Sequence, residues 1–537
     1  MYEQRPLSDT RQVMKAIRSA SDGLTAPFKA ASGGDLASKA YLNTLAGVLE
    51  YAARIVVAFV LTPVLVGQLG DYLYGALQVL IRATGYVSTA SGRPSQALKW
   101  TIASLQGSAT AGQKRRYVGS ALAVWFLFLP VLLALGGLFT WFAPTLFGAP
   151  SELVGTIRLA AGLLVVEVIV ITLVQVPRSV LIGENLGYKR MALSISMVFA
   201  KGGLVAIALY AGAGLAGVVS AYLVATLLTG VLMLHVTRAN VPWFGIARTS
   251  RGDLRNFTGL SGWFFAWRLV SRSLETGDVI LLGILGTLNM VTTYSLTRFS
   301  SEGAMQLTVL AVFSAMPGLG GIIGSGNLEK AALVRSEIMS LTWIAMVPMG
   351  VAILVWNRSF VGLWVGSEHY AGGLITLLMV LMAIQIVLIR TDGSIIDLTL
   401  DLRRKVEIGA LSTAISIALA TLFVSFFKLG LLGLCLGLIS GRAILSLAYP
   451  WLVGRFLGVS LISQIKKVGR PFLVAMLFLS ASLSLGNQLA VSSWSTLLIL
   501  VSATLIAATA LAFYTGLSGN QRMRIVRRAT LVLRPAK

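Results

Sequence analysis

Fourteen apolar runs dominate this chain. They lie near 41–69, 72–91, 117–140, 153–183, 190–211, 215–237, 258–286, 290–318, 337–356, 372–398, 406–427, 430–454, 471–486 and 494–516. A helix needs about 20 apolar residues to cross a bilayer, and only the run at 471–486 is short for that. The expected fold is all-α, a polytopic transmembrane helical bundle of about 14 spans. A 56% hydrophobic content, only 12% charged residues and a mean hydropathy of +0.82 agree.

Charge placement gives the sidedness. The formal net charge is +24, from 44 Lys and Arg against 20 Asp and Glu. Thirty-two of the bases fall on both termini and alternate loops, whereas the opposite loops hold only Arg358 and Lys428. That asymmetry puts both termini in the cytoplasm and requires an even number of spans. The excess charge is then topology and contact with anionic membrane lipids, and no nucleic-acid partner is called for. Two His and one Cys (Cys435) exclude a disulfide framework and a Cys/His metal site. The first 38 residues lack the apolar core of a signal peptide. Within them, Leu7 to Ile17 reads either as a short basic surface helix or as part of an unstructured tail.

The two halves of the chain resemble each other. LVGQLGDYLYGALQVLIRAT (65–84) aligns with LLGILGTLNMVTTYSLTRFS (281–300), placing Gly67, Gly70 and Arg82 on Gly283, Gly286 and Arg298. Gly148 falls on Gly366, and the stretch at 187–190 on that at 401–404, at nearly the same offset. A duplicated six-helix unit predicts parallel lobes related by an axis along the membrane normal. The expected units are a cytoplasmic tail at 1–40, an N-lobe at 41–237, a linker at 238–257 and a C-lobe at 258–455. Two further helices with their basic loop occupy 456–516, and a basic tail 517–537.

The spans are not free of charge. Arg268, Arg272, Glu275 and Asp278 lie in the run 261–286, and positions 268, 272 and 275 share one helix face. Each charge facing lipid at the bilayer centre costs about 3 kcal/mol, so this stripe must face protein or water. The first span repeats the theme with Asn43, Gly47, Glu50 and Arg54, and the two stripes are expected to face each other across a central cavity. Arg82 and Arg298 occupy equivalent places in the second and eighth spans. The candidate cationic cavity comprises Arg54, Arg82, Arg178, Arg268, Arg272, Arg298 and Arg390, with Glu50, Glu275 and Asp278 as coupling or ion-pair groups. Arg158, Lys201 and Arg442 are expected to reach out to a membrane surface. Arginine stays protonated and grips phosphate oxygens in a two-pronged fork, so the pattern suits an anionic cargo. The bland alternative is a set of structural ion pairs. No GxxxxGK[ST] loop for ATP occurs, so any transport would draw on a gradient or the membrane potential.

LTPVLVGQLGDYLYGALQVL (61–80), with Leu69, Gly70, Tyr74 and Gly75, resembles the opening signature of bacterial polysaccharide flippases of the Wzx type. The loop LWVGSEHYAG (363–372) is similar to the pattern those proteins carry before the tenth span. They belong to the MOP exporter superfamily, with the lipid II flippase and the MATE drug exporters. The resemblance covers spans one to twelve. It implies two bundles alternating access in the bacterial inner membrane. The cargo would be a polyprenyl-diphosphate-linked oligosaccharide for polysaccharide biosynthesis, with a polysaccharide polymerase or other assembly proteins as partners and no cofactor. Cavity arginines would hold the diphosphate, and spans thirteen and fourteen a groove for the lipid tail. A MATE-type cation exporter is the nearest alternative, and it calls for unpaired acids. A membrane enzyme that polymerises or ligates lipid-linked glycans is another. It would rely on the external loop near 357–371, with Glu368 and His369 as candidates.

Overall fold

The computed structural model describes residues 34–92, 94–105, 109–250, 252, 261–399, 402–519 and 521–524. The expected surface helix at Leu7–Ile17 and the end of the basic C-terminal tail lie outside the described residues, as does most of the linker beyond 250. Fourteen long helices follow in order. They are α1 (Gly34–Val87), α2 (Pro94–Ser104), α3 (Ala111–Leu146), α4 (Val154–Gly183), α5 (Met191–Tyr210), α6 (Gly214–Asn240) and α7 (Ser261–Leu285), then α8 (Leu288–Gly324), α9 (Leu328–Trp364), α10 (Gly373–Thr399), α11 (Leu402–Thr421), α12 (Gly430–Leu457), α13 (Leu461–Gln488) and α14 (Trp494–Leu511). No strand occurs among the described residues. The chain is a polytopic helical bundle, as expected.

Among the described residues each of the fourteen apolar runs falls on a helix, but they are distributed differently. Twelve segments among those residues are long and apolar enough to cross a membrane. One of them, Leu45–Ser91, holds the first two runs together, because α1 is continuous on either side of a break at Gly70. The charged α7 is not among the twelve. The thirteenth run, short in sequence, sits in the 28-residue α13, long enough for a crossing. The helix α2, with Trp100 exposed beside Lys99, was not anticipated; it lies at the basic end of the bundle.

Local signals account for the helix ends. Thr110 caps α3 in a reciprocal box with Gln113, and Thr287, Asn327, Ser460 and Ser493 accept from the amides of Met290, Lys330, Ser463 and Thr496. Where α11 meets α12, Gly437 and Gly441 let the backbone at Ala420 and Ser416 approach, and the Ser412 hydroxyl donates to the Gly441 carbonyl at 2.9 Å. Small residues make such close contacts because lipid provides no hydrophobic drive between helices.

The break in α1 depends on one residue. Gly70 has φ +71° and ψ 169°, a region open essentially to glycine alone. Gly70→Ala is expected to cost about 1–3 kcal/mol, read as a lower unfolding temperature of the purified protein; an unchanged value would mean that the turn tolerates a side chain.

The internal repeat shows in the backbone. Gly148 and Gly366 both have positive φ, and each precedes a short 3₁₀ turn, Ser151–Leu153 and Ser367–His369. Gly212 and Gly214 match Lys428 and Gly430 at the same offset as the first alignment, and all four have positive φ.

The core is asymmetric along the bundle. At the end remote from the termini, one apolar cluster draws on both halves. It includes Leu77 and Val79 of α1, Leu164 of α4, Leu282 of α7, Val291 of α8 and Leu434 of α12. There Trp364 stacks on Phe59 at 5.7 Å, and its indole N–H donates to the Phe59 carbonyl at 2.7 Å. Toward the basic end the apolar clusters belong to one half each, one around Leu98 and Val180 and the other around Leu319 and Leu445. One apolar core therefore joins the halves at one end, and each half has its own core at the other.

Candidate functional site

The charged groups of the spans gather where the halves divide. In the N-terminal half, Glu50 is buried on α1 and receives three guanidinium groups. Arg54 approaches to 2.5 Å, Arg190 to 2.8 Å and Arg178 of α4 to 3.7 Å. One carboxylate shared by three arginines leaves the cluster cationic, and Arg54, 57% exposed, presents it to the cavity side. Lys99 on α2 lies nearby; burial holds its ammonium below the usual range, and Arg178 adds to the effect. All of these partners come from the N-terminal half. The stripe of the first span thus faces α4 and the start of α5, and does not meet the stripe of the seventh as expected. Asn43 lies among residues whose side chains are not described.

The face of α7 meets the second part of α1 instead. The Arg272 guanidinium lies against Gly85, so closely that a β-carbon there would sit 1.8 Å from it. Gly277 lies beneath the Tyr86 hydroxyl in the same seam. Gly85→Ala is therefore expected to displace Arg272 while leaving the fold intact, since a flexible side-chain end yields more readily than backbone. The unfolding temperature of the purified protein should stay near the wild-type value; a sharp fall would mean that the backbone, and not Arg272, gives way.

The four charges of α7 have separate fates. Asp278 is completely buried and forms a short ion pair with Arg298 of α8, while Tyr294 donates to the same carboxylate at 2.8 Å. Glu275 pairs with Arg390 of α10 at 3.2 Å. Arg268 and Arg272 have no carboxylate within ion-pairing distance among the described residues, and the Nε of each is buried without a hydrogen-bond partner. Arg268 lines a cavity of about 180 Å³ with Trp267, Glu275, Arg390, Asp397 and Lys405. The acids are satisfied; Arg268 faces a cavity lined by the C-terminal half, and Arg272 lies in the seam with α1.

The equivalent pair Arg82 and Arg298 converge on one acid. Arg82 reaches Glu302 at 3.3 Å from the other half, and Arg298 lies 3.8 Å from the same carboxylate. Of the three bases expected to reach a membrane surface, Arg158 lies near the end remote from the basic one, packed over the Trp141 ring at 4.3 Å. Lys201 is held by Glu167 at 3.6 Å and by the Tyr222 ring at 3.7 Å. Arg442 is a clear correction. It is 1% exposed and donates to the Leu274 carbonyl at 2.8 Å, because α12 packs its middle against α7 and not against lipid.

Several bases assigned to loops belong to the interior. Arg335 grips Asp392 with two bonds, at 2.8 and 2.9 Å. Lys405 bonds Asp397 at 2.6 Å, and Lys114 bonds Glu184 at 2.7 Å. The available signal was the acids: Asp392, Asp397 and Glu184 lie near basic ends of spans, and buried carboxylates need cationic partners at their own depth.

The expected external loop at 357–371 is shorter, because α9 continues to Trp364. His369 is buried there and bonds Asp71 of the other half at 2.8 Å. An apolar groove of about 400 Å³ opens between α9, α10, α12 and α13, lined by Leu333, Trp343, Leu388, Leu447, Ile465 and Phe472. Residues 494–516 do not line it, so the thirteenth and fourteenth spans do not share this groove.

No family model matches the chain, and no curated protein matches it in sequence. Solved structures do share its fold. The lipid II flippase MurJ in an inward closed conformation matches with a TM-score of 0.61 at 15% identity, covering 88% of this chain and 98% of its own. An inward-facing multidrug resistance MATE family transporter of the MOP superfamily matches with a TM-score of 0.60 at 12% identity, covering 76% and 98%. A MATE structure in complex with MaD3S matches with a TM-score of 0.56 at 13% identity, covering 79% and 97%. At such identities the likeness is one of fold, the architecture of membrane transporters and flippases.

Proposed function

We propose that this chain is a flippase that moves a polyprenyl-diphosphate-linked oligosaccharide across the inner membrane by alternating access, for polysaccharide assembly. The observation that carries this reading is the division of charge on α7. Glu275 and Asp278 are neutralised by Arg390 and Arg298, while Arg268 and Arg272 remain uncompensated among the described residues. A cation exporter would leave its acids unpaired. Glu50 too is surrounded by arginines.

In this reading the basic end is cytoplasmic, and a bundle whose halves share a core at the far end and not at the near one faces inward. The diphosphate engages Arg268 and Arg272 of α7 and the surplus charge around Glu50, with Arg82 and Arg390 beside them. The apolar groove along α13 accepts part of the polyprenyl tail. The flippase structure covers more of the chain than the MATE structures do, by close to the length of α13 and α14. Arginines cannot give up their protons, and paired carboxylates tend to stay ionised, so the membrane potential is the natural driving force. Two negative charges moving outward gain about 4.6 kcal/mol per 100 mV.

The test is flipping of a fluorescent polyprenyl-diphosphate-linked sugar in sealed proteoliposomes, with potential and pH gradient set independently. Flipping that accelerates with the potential supports the proposal. Export of a cationic dye without lipid flipping would favour the MATE-type alternative. Flipping that ignores the potential and follows the pH gradient would transfer coupling to Glu50, Glu275 or Asp278.

A further inference from the structure

We propose that His369 and Asp71 form a latch, strengthened by a proton, that holds the outer ends of the two halves together. His369 lies in the 3₁₀ turn between α9 and α10, and Asp71 directly follows the Gly70 break in α1. The His369 Nε2 and the Asp71 Oδ1 are 2.8 Å apart, 298 residues apart in the chain. Both partners are held from behind by α8. The Thr292 hydroxyl donates to the Asp71 carbonyl at 2.6 Å, and the Thr297 hydroxyl donates to the His369 carbonyl at 3.2 Å. The amide of Ala371 in turn donates to Thr297 Oγ1 at 2.9 Å.

The second imidazole nitrogen makes the latch sensitive to protons. Nδ1 is buried without a hydrogen-bond partner, and it lies 3.6 Å from the Glu368 carboxylate. A neutral imidazole spends its one N–H on Asp71 and turns a lone pair toward Glu368. An imidazolium stands between two carboxylates and is attracted by both. The surrounding charges do not cancel this. From α8, Tyr294 and Arg298 are committed to Asp278; from α9, Arg358 donates to the Asn487 carbonyl; Tyr370 follows in the turn itself. The imidazole is nearly covered, but the side chains of Asp71 and Glu368 are 44% and 70% exposed, so protons reach it from the outer face. Histidine ordinarily changes charge between about pH 5 and 8, and acid outside therefore tightens the closure. Separation of the outer ends releases the proton.

The inference rests on the alternating halves of the proposed function, and its test needs no cargo. Spin labels at Ser151 and Lys428, in a Cys435→Ala background, report the separation of the two outer ends in the full-length protein. The ratio of closed to open populations should rise about two- to fivefold from about pH 8 to about pH 5.5, as expected for one partly exposed charge pair. His369→Gln keeps a donor to Asp71 and cannot take up a proton, so its ratio should stay flat; Glu368→Gln should reduce the slope. If His369→Gln does not fold, Asp71→Asn serves the same comparison and should also blunt the response. A wild-type ratio that ignores pH overturns the latch, as does a full response in His369→Gln or, in its place, Asp71→Asn. Failure of lipid flipping leaves this result standing, and a flat pH response leaves the flipping reading standing.

Discussion

Under the proposed function, Arg268→Ala combined with Arg272→Ala is expected to abolish flipping while the protein still inserts and folds at near-normal levels. Among the described residues the two guanidinium groups have no carboxylate to orphan, so their removal leaves no uncompensated acid there. Each charge-assisted hydrogen bond to a diphosphate contributes about 1.5–3 kcal/mol, so losing both lowers flipping on the order of 100-fold or more. Glu275 meets Arg390, not Arg272, so Arg272→Ala and Glu275→Ala should act additively on abundance. Abundance and flipping measured on the same membranes separate the two effects. Normal flipping by the double variant removes α7 from the mechanism.

The opposite behaviour is expected at Asp278 and Arg298. This pair is buried with Tyr294, and removing one partner leaves a charge stranded in the core, at a cost of about 3–5 kcal/mol. Asp278→Ala or Arg298→Ala should therefore lower abundance and unfolding temperature sharply, whereas Asp278→Leu combined with Arg298→Met should recover much of the loss. An Asp278→Ala protein that is as stable as wild type but inert in flipping would instead mark Asp278 as a coupling group. The two predictions test a division of one helix face into a part that the proposed function assigns to cargo and a part that holds the bundle.

That division was only partly legible beforehand. The stripe on α7 was visible from its spacing, because 268, 272 and 275 recur at helical period and lipid forbids their exposure. The repeat foretold that Arg82 and Arg298 sit at equivalent depths. It did not foretell that they converge on Glu302, since that contact joins residues 220 apart in the chain. Arg190, Arg335 and Lys405 were counted with the loops because they lie just beyond apolar runs. A long basic side chain at a helix end folds either outward or inward, and only a neighbouring acid decides which. Arg442 was misplaced for a related reason: a charge near a span end reads as surface-seeking unless the packing partner is known.

The sequence by itself determined the membrane-spanning helices, the basic end and the internal repeat. Each of these follows from local chemistry: apolar length, charge asymmetry, and similarity between segments. Only the tertiary structure decided which arginines are neutralised and which stand open, and that the halves share a core at one end. Ion pairs form between helices at matching depth and facing angle, and neither quantity is written along the chain. Helix-to-helix geometry sets both.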